Sequence, residues 1–250
     1  MRFSTVAAMM LVCSSTVGSV RAQERSTQNM KQDLIKRVNQ LSSQIESAPE
    51  SVQLYSARGD TWFFLGDFHK ALADYDEMVE LDPAEDRSHW RRGIALFYNR
   101  NYEAAAAQFD RYHNFDDVDR ENGIWRYLSH FQSKGAAAAA QELLKYDKDD
   151  REPFGDVYKL FSSEMTGQEI LDKIQAAQIS DSEREKRMFY ATLYIGLNED
   201  VNGRKELALK FLKQAAGNTW APKAGYGPHY MWQVARLHAS LIEKSMNEGK

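Results

Sequence analysis

One pattern is written twice in the stretch of sequence that decides the fold. It runs from Val52 to Asp119 and reads VQLYSARGDTWFFLGDFHKALADYDEMVELDPAE (52–85) followed by DRSHWRRGIALFYNRNYEAAAAQFDRYHNFDDVD (86–119). Four small or aromatic residues recur at a constant spacing of 34 positions without a gap: Gly59 and Gly93, Phe68 and Tyr102, Ala71 and Ala105, Tyr75 and Phe109. Such coincidences in one register indicate a structural repeat.

A period of 34 residues is typical of the tetratricopeptide repeat, in which each unit is a pair of antiparallel helices. The glycine and the alanine of each unit let neighbouring helices approach closely, and aromatic rings fill the space between them. Pro83 ends the first unit because its ring clashes with a continuing helix. The predicted packing positions are Gly59, Trp62, Phe68, Ala71, Tyr75, Gly93, Tyr102, Ala105 and Phe109.

The composition of the whole chain favours helix over strand. Its 250 residues include only 5 Pro and 14 Gly, with 43% hydrophobic and 27% charged residues, which are ordinary values for a globular protein. Long stretches of Ala, Leu, Glu, Lys and Gln are good helix formers. We therefore predict an all-α protein, a tetratricopeptide helix-turn-helix solenoid with degenerate C-terminal repeats and a capping helix. The net charge of −4 offers no basic surface, so nucleic acid is not an expected partner.

The first 22 residues have the features of a secretory signal peptide. Arg2 supplies a short basic start, an apolar run follows from Phe3 to Val17, and Ala22 ends a cleavage site of small residues. The apolar run is shorter than the roughly 20 residues that span a bilayer, and no later stretch is apolar enough. We expect an exported protein, periplasmic or associated with the cell envelope, without a transmembrane segment once the leader is removed.

Cys13 is the single cysteine and lies within the apolar run. Cleavage after Ala22 leaves a mature chain without a thiol, which excludes disulfides, cysteine nucleophiles and cysteine-ligated metal. The alternative is a lipoprotein in which Cys13 is acylated, although Val12 occupies the position where a lipobox has Gly or Ala. The sequence leaves open whether the leader is cleaved or the cysteine carries a lipid.

Apolar periodicity divides the rest of the chain into helical units. They are an N-terminal capping helix in 23–51, repeats at 52–85 and 86–119, a degenerate third repeat at 120–153, a short helix pair at 154–180, a repeat-like pair at 181–217, and a loop with a C-terminal capping helix at 218–250. Within these units we expect helices near Arg87–Tyr98, near Ala136–Leu144 and from about Tyr230 to Lys244.

Several clusters resemble the NlpI-type tetratricopeptide lipoproteins of the bacterial envelope. They are the segment from Arg92 to Tyr98, the cluster from Trp125 to Leu128, the short helix pair after Pro153, and the final pair with Phe189, Tyr190, Ala208, Phe211 and Ala215. The resemblance covers roughly Val52 to His238. It implies an all-helical, homodimeric adaptor without catalytic activity, which docks a processing protease and presents cell-wall hydrolases to it.

No motif in the sequence indicates catalysis or metal binding. No two of the 6 His residues stand at i,i+4, and no His-Glu-x-x-His occurs. The acidic runs 116–119 and 147–150 lack the glycine and terminal glutamate of a calcium loop, and we interpret them as turns. No catalytic residue, metal or cofactor is predicted. An enzyme without a recognisable motif and a structural assembly factor or spacer remain alternatives.

The concave surface of a tetratricopeptide array is lined by the first helix of each pair. Its predicted anchors for a partner are Phe63, Phe64, Trp90, Phe97, Tyr98 and Phe131, and its third-repeat positions include Glu121 and Ile124. Because buried rings are typical anchors of interfaces, we predict a non-catalytic adaptor or scaffold that holds another protein or peptide segment in this groove. Alternatively, the chain's own C-terminal helices fill the groove, or homodimerisation covers it.

Overall fold

Most of the described residues of this chain lie in helices. The structure is a computed structural model that describes residues 28–248, and within that range no residue lies in a β-strand. The all-α prediction is therefore confirmed. The predicted leader and Cys13 lie outside the described residues. The α-helices are α1 (28–47), α2 (Val52–Leu65), α3 (Phe68–Leu81), α4 (Trp90–Tyr98), α5 (Tyr102–His113), α6 (Arg120–Lys134), α7 (Ala136–Gln141), α8 (Phe154–Phe161), α9 (Gly167–Ala176), α10 (Asp181–Val201), α11 (Lys205–Ala216) and α12 (Tyr226–Glu248), with short 3-10 helices at Pro83–Ser88 and Ala221–Lys223.

Helices that follow one another in the chain also lie next to one another in space. α2 packs on α3, α3 on α4, α4 on α5 and α5 on α6. Farther along, α8 and α9 form a short pair against α10, while α10 packs on α11 and α11 on α12. Because most contacts join neighbours in sequence, the local pattern of apolar residues specifies most of this arrangement.

The close approach of paired helices depends on glycine. A Cβ atom added to Gly59 would lie 2.7 Å from Cε1 of Tyr75, and one added to Gly93 would lie 2.6 Å from Cζ of Phe109. These separations are well inside van der Waals contact, so a larger residue at either glycine would push the ring and its helix away. The two units therefore share one packing geometry.

A row of three arginines repeats with the same period, and two of them tie a helix pair to the preceding one. Arg92 Nε donates to Asp76 at 2.6 Å, and Arg126 Nε donates to Asp110 at 2.6 Å, so each guanidinium reaches back to the preceding pair. Arg58, one period earlier, forms a bidentate pair with a carboxylate of α3. Planar guanidinium groups suit this role because they donate in two directions at once.

Three predicted helix boundaries differ from the structure. The chain forms a 3-10 turn after Pro83, so α4 begins at Trp90 rather than near Arg87. α7 is short and ends at Gln141, before the predicted Leu144. α12 begins at Tyr226, a full turn before Tyr230, because a proline is tolerated in a first helical turn where its missing N–H has no intrahelical partner.

None of the helices described between residues 28 and 248 combines the length and apolarity needed to cross a membrane.

Candidate functional site

Four of the six rings predicted to line an open groove contact rings of the last helix: Phe63, Phe64, Trp90 and Tyr98. The ring of Phe63 in α2 stacks on that of Tyr230 in α12, with 4.9 Å between ring centroids and 28° between planes. Trp90, at the start of α4, meets the same tyrosine edge-on at 4.9 Å. Phe64 meets His229 edge-on at 5.5 Å. Of the sequence-based alternatives, the structure shows a groove filled here by the chain's own C-terminal helix.

A buried carboxylate holds the start of α12 on the array. Asp60 of α2 accepts hydrogen bonds from the hydroxyls of Tyr75, at 2.7 Å, and Tyr226, at 2.6 Å. Arg91 of α4 forms an ion pair with the same carboxylate at 2.8 Å. A buried carboxylate is destabilising unless it is paired and hydrogen-bonded, and here three donors satisfy it. The network joins α2, α3, α4 and α12.

A second polar contact holds the middle of α12. The imidazole of His238 lies 2.9 Å from the hydroxyl of Tyr98 and 3.0 Å from a carboxylate oxygen of Asp200. Burial opposes ionisation of Asp200, but the hydrogen bond with His238 and the nearby charges of His238 and Lys205 together outweigh it and lower the carboxyl pKa. Burial raises the pKa of the Tyr98 hydroxyl well above its ordinary value, which makes it a poor nucleophile. The chain of contacts is therefore a tie between helices.

Two of the six predicted partner-binding residues are buried in the structure. Phe63 and Phe97 are buried in the core and offer almost no surface to a partner. The prediction that these two rings line an open groove is wrong, because Phe63 stacks on Tyr230 of α12 and Phe97 packs against Tyr102 and Trp125. The remaining anchors, which are partly buried and pack against the core, are Phe64, Trp90, Tyr98 and Phe131.

A cavity of about 380 Å³ lies next to the start of α12. It lies between α4 to α6 on one side and α10 with the start of α12 on the other. Its volume falls within the range of about 300–1,000 Å³ that ligand sites occupy. The apolar and aromatic lining residues are Trp90, Ile94, Phe109, Tyr112, Trp125, Tyr190, Trp220, Pro228 and Met231, and the polar ones are Asp119, Glu121, Asn122, Arg151 and Lys186.

Aromatic walls from two halves of the chain face this cavity. On the side of α4 to α6, the ring centroid of Trp125 lies 5.4 Å from that of Phe97. The same ring stacks on Phe109, with 6.4 Å between centroids. On the other side, Trp220 lies 6.2 Å from the ring of Tyr190 in α10. The side-chain oxygen of Asn218 accepts a hydrogen bond of 3.0 Å from the backbone N–H of Trp220. This turn contact positions Trp220 in its loop.

Charged groups form one edge of the cavity. Arg151 pairs with Glu121 at 2.5 Å and with Asp119 at 3.5 Å, while Tyr194 of α10 donates a hydrogen bond to the other oxygen of Glu121. Burial raises the pKa of Glu121 to about 7, even though Arg151 acts in the opposite direction. Burial also raises the pKa of Asp119. Both oxygens of Glu121 are thus occupied by groups of the protein itself.

Two residues that line this cavity each have a buried polar atom without a hydrogen-bond partner among the described residues. These atoms are the indole nitrogen of Trp125 and the side-chain oxygen of Asn122. The two residues are only 1% and 3% exposed. The amide nitrogen of Asn122 donates to the carbonyl of Phe109 at 3.0 Å, which fixes the side chain in place. Each of the two unpaired atoms has less than 1 Å² of accessible surface, so both lie within the wall rather than in the open cavity.

Sequence reasoning identified only part of this site. Trp90 was predicted as an anchor, and Glu121 occupies a predicted groove position of the third repeat. Arg151, Tyr190 and Trp220 come from later segments, and no local pattern predicts that they meet α6. The only available signal was the presence of Trp220 in the loop that is rich in Gly and Pro.

Between residues 28 and 248, no three His, Cys, Asp or Glu side chains come together in a group suited to a metal ion.

Comparison with known proteins found no match for this chain among protein-family models or curated proteins. Its function is therefore inferred from the sequence pattern and from the geometry of the cavity.

Proposed function

We propose that this protein is a non-catalytic adaptor or scaffold that binds a segment of a partner protein in the cavity beside the start of α12. One observation supports this most directly: a cavity of about 380 Å³ with largely aromatic and apolar walls remains beside the start of α12. Tryptophan and tyrosine are typical anchors of protein interfaces, because they combine a large apolar surface with one polar group.

The size of the cavity limits what a partner inserts. About 380 Å³ accommodates one large side chain with its backbone, or two smaller side chains. It does not accommodate a whole helix, and the place where a helix would lie is occupied by α12. The expected partner segment is therefore short.

The charged residues at the edge of the cavity fit a binding role better than a catalytic one. A general base must be free to reach a proton of the substrate. Burial raises the pKa of Glu121 to about 7, yet Arg151 and Tyr194 occupy its two oxygens. These contacts join α6 to α10 and keep the cavity in shape.

We also assign the chain to the tetratricopeptide class. The 34-residue register supports this, as does the matching approach of Gly59 to Tyr75 and of Gly93 to Phe109. The resemblance to NlpI-type proteins and the leader-like first 22 residues favour the cell envelope as the location, with proteases or cell-wall hydrolases as the class of partner. Intact-mass measurement of the exported protein tests this location, since a cleaved product begins at Gln23.

Site-specific photocross-linking in the host cell tests the adaptor function. A benzophenone amino acid replaces Lys186, which lines the cavity and is half-buried, and in a second variant it replaces Lys210, which is exposed on α11 outside the cavity. We expect a discrete cross-linked protein at Lys186 and none at Lys210. Equal cross-linking at both positions would contradict a site at the cavity.

A matched pair of tryptophan substitutions completes the test. Trp220 and Trp232 are both half-buried, but only Trp220 lines the cavity. Trp220→Ala should abolish the cross-link from Lys186, whereas Trp232→Ala, which removes a hydrogen bond to the carbonyl of Ala216, should leave it unchanged. Loss of the cross-link in both variants would indicate a general effect on the fold and would leave the cavity without support as the site.

A further inference from the structure

A second cavity, of about 540 Å³, lies where the two helices of several pairs are joined. We call it the turn-edge cavity. Its lining includes the turn residues Gly66 and Arg100, the first residue of α11, Lys205, and part of α12 from His238 onward. No described residue lines both this cavity and the one beside the start of α12. The two cavities are therefore separate sites.

Aromatic side chains form one wall of the turn-edge cavity. The rings of Phe68 and Tyr98 are stacked, with 4.7 Å between centroids. Phe97 meets Tyr98 and Tyr102 edge-on, at 5.6 Å and 5.3 Å. Leu241 of α12 also lines the cavity and is 43% exposed. The volume falls within the range of ligand sites, and this wall suits an apolar ligand body.

Arg100 occupies a backbone position at which two equivalent turns have glycine. Gly66, Arg100 and Gly203 each stand two residues before the second helix of a pair, with φ of 82°, 60° and 78°. In all three turns the backbone N–H donates to the carbonyl three residues earlier. This left-handed conformation suits glycine and is unfavourable for a residue with a Cβ atom. The turn gains nothing from arginine, so the guanidinium has another role.

Arg100 and Lys205 bring positive charges to this cavity that have no ion-pair partner within residues 28–248. The two carboxylates of the lining are paired with other groups, Asp200 with His238 at 3.0 Å and Glu248 with a lysine of α12 at 3.7 Å. Lys205 is the first residue of α11, where the helix dipole disfavours a positive charge. Both cations thus stand at positions that are locally unfavourable for them.

The charged ends of both residues act on groups of the cavity lining. Burial raises the pKa of the Tyr102 hydroxyl, and the charge of Arg100 opposes that rise. Burial opposes ionisation of Asp200, while His238 and the charge of Lys205 lower its pKa. The guanidinium and the ammonium therefore lie near the cavity lining.

This set of charges selects a ligand with a single negative charge. One arginine and two lysines line the cavity together with two carboxylates, so one positive charge remains when the imidazole is neutral. A carboxylate carries one negative charge, and its two oxygens accept from a planar guanidinium and an ammonium at once. A phosphate monoester carries nearly two negative charges, and a cation would be repelled by Arg100 and Lys205.

We propose that the turn-edge cavity binds an organic carboxylate with an aromatic or apolar body, and that Arg100 and Lys205 bind the carboxylate group. The body packs on the wall that contains Phe68, Tyr98 and Tyr102. The ligand is a small free acid or the last residue of a polypeptide, since each carries a carboxylate beside an apolar group.

Isothermal titration calorimetry of the full-length protein with 3-phenylpropionate at low ionic strength tests the inference. Its neutral analogue, 3-phenylpropionamide, has the same shape without the charge, and acetate has the charge without the body. Each should bind at least about tenfold more weakly than 3-phenylpropionate, because each loses the ion pairs or the ring contacts. Equal binding of the acid and the amide, or no binding of the acid at millimolar concentration, would overturn the proposal.

The substitution Arg100→Gly removes the guanidinium and supplies the residue that the equivalent turns contain. It should weaken 3-phenylpropionate at least about tenfold without lowering the melting temperature, because glycine suits the left-handed conformation. A lower melting temperature with unchanged binding would show that Arg100 is structural and would refute its role in the site.

A second pair of variants repeats the test away from the turn. Lys205→Gln should weaken 3-phenylpropionate about tenfold, whereas Lys210→Gln, at an exposed position of α11 outside the cavity, should not. Equal affinities of these two variants would overturn the assignment. Trp220→Ala should leave the affinity unchanged, since Trp220 lines the other cavity. A loss in this variant as large as in Arg100→Gly would likewise contradict a site at the turn edge.

A peptide with a free carboxylate, N-acetyl-Gly-Gly-Phe, distinguishes the two sources of ligand. Tighter binding of the peptide than of 3-phenylpropionate would support the end of a polypeptide, and tighter binding of the small acid would support a free metabolite. Cross-linking from Lys186 reports on the other cavity. The adaptor function therefore stands or falls independently of these titrations.

Discussion

The ring of Tyr230 lies stacked on that of Phe63, 4.9 Å away, although these residues belong to opposite ends of the described chain. The same tyrosine meets Trp90 edge-on and shares a hydroxyl contact of 3.2 Å with Tyr75. One residue of α12 thus touches α2, α3 and α4. The last helix is a structural part of the repeat array rather than an appendage to it.

Replacement of this tyrosine should strongly destabilise the protein. Tyr230 is fully buried, so Tyr230→Ala leaves a cavity and should lower the free energy of unfolding by about 3 kcal/mol or more. On the exposed side of the same helix, Leu241→Ala should cost less than about 1 kcal/mol. Urea denaturation of both variants measures this. Similar small losses would mean that α12 does not fill the groove in solution.

The two kinds of glycine in the helices should respond oppositely to an added methyl group. Gly93→Ala should destabilise the fold by about 1–3 kcal/mol, because the new Cβ atom meets the ring of Phe109 at 2.6 Å. Gly155, in α8, is exposed and has no atom within 4 Å of an added Cβ. Gly155→Ala should therefore stabilise the protein by roughly 0.5–1 kcal/mol. Thermal melts of both variants measure these changes. If both substitutions changed the stability in the same direction, the packing described for α4 and α5 would be wrong.

Glu121 should make the fold less stable as the pH rises from about 4.5 to about 7. Burial raises the pKa of this carboxyl from 4.5 to about 7, with the charge of Arg151 opposing the rise. Between these values the folded protein keeps a proton that the unfolded chain has lost, and stability then falls with increasing pH. The loss is on the order of 3 kcal/mol over the interval.

The substitution Glu121→Gln removes this titration. Relative to the variant, the wild-type protein should lose stability steadily from pH 4.5 to 7 in chemical denaturation. Glu80→Gln, at an exposed position of α3, serves as the control and should run parallel to the wild type. Parallel curves for Glu121→Gln as well would show that the pKa of Glu121 is not raised by folding.

His89 should act in the opposite direction and at lower pH. Burial, together with the charges of Arg91 and Arg92, lowers the pKa of its imidazole from 6.5 to about 3. The neutral ring accepts a hydrogen bond of 3.2 Å from the backbone N–H of Arg92 and so caps α4. As the pH falls below 6.5, the unfolded chain binds a proton that the folded protein does not, so stability is lost progressively down to about pH 3.

His89→Asn tests this, because asparagine caps helices well and does not titrate. Between pH 6.5 and 4.5 the wild-type protein should lose about 2–3 kcal/mol relative to this variant. His69→Asn, at an exposed position near the start of α3, should show no such difference. An unchanged gap between wild type and His89→Asn across this range would rule out a buried neutral imidazole.

The repeat core was predictable because its signals are local. Gly59 and Tyr75, or Gly93 and Phe109, meet within a single helix pair, so their spacing alone predicts the contact. The arginine row was also present in the sequence, since Arg58, Arg92 and Arg126 share the period of the glycines. It passed unrecognised because charged residues in a helical repeat are usually exposed, and only the structure shows which carboxylates they reach.

The sequence by itself determined the helix pairs, their period and the small and aromatic residues between them, because each of these depends on side chains close together along the chain. The tertiary structure alone decided what covers the groove and where a cavity remains. α12 returns to α2, and Arg151, Tyr190 and Trp220 meet α6, through contacts between distant segments. Such contacts depend on the fit between surfaces that are far apart along the chain, and no local spacing encodes them.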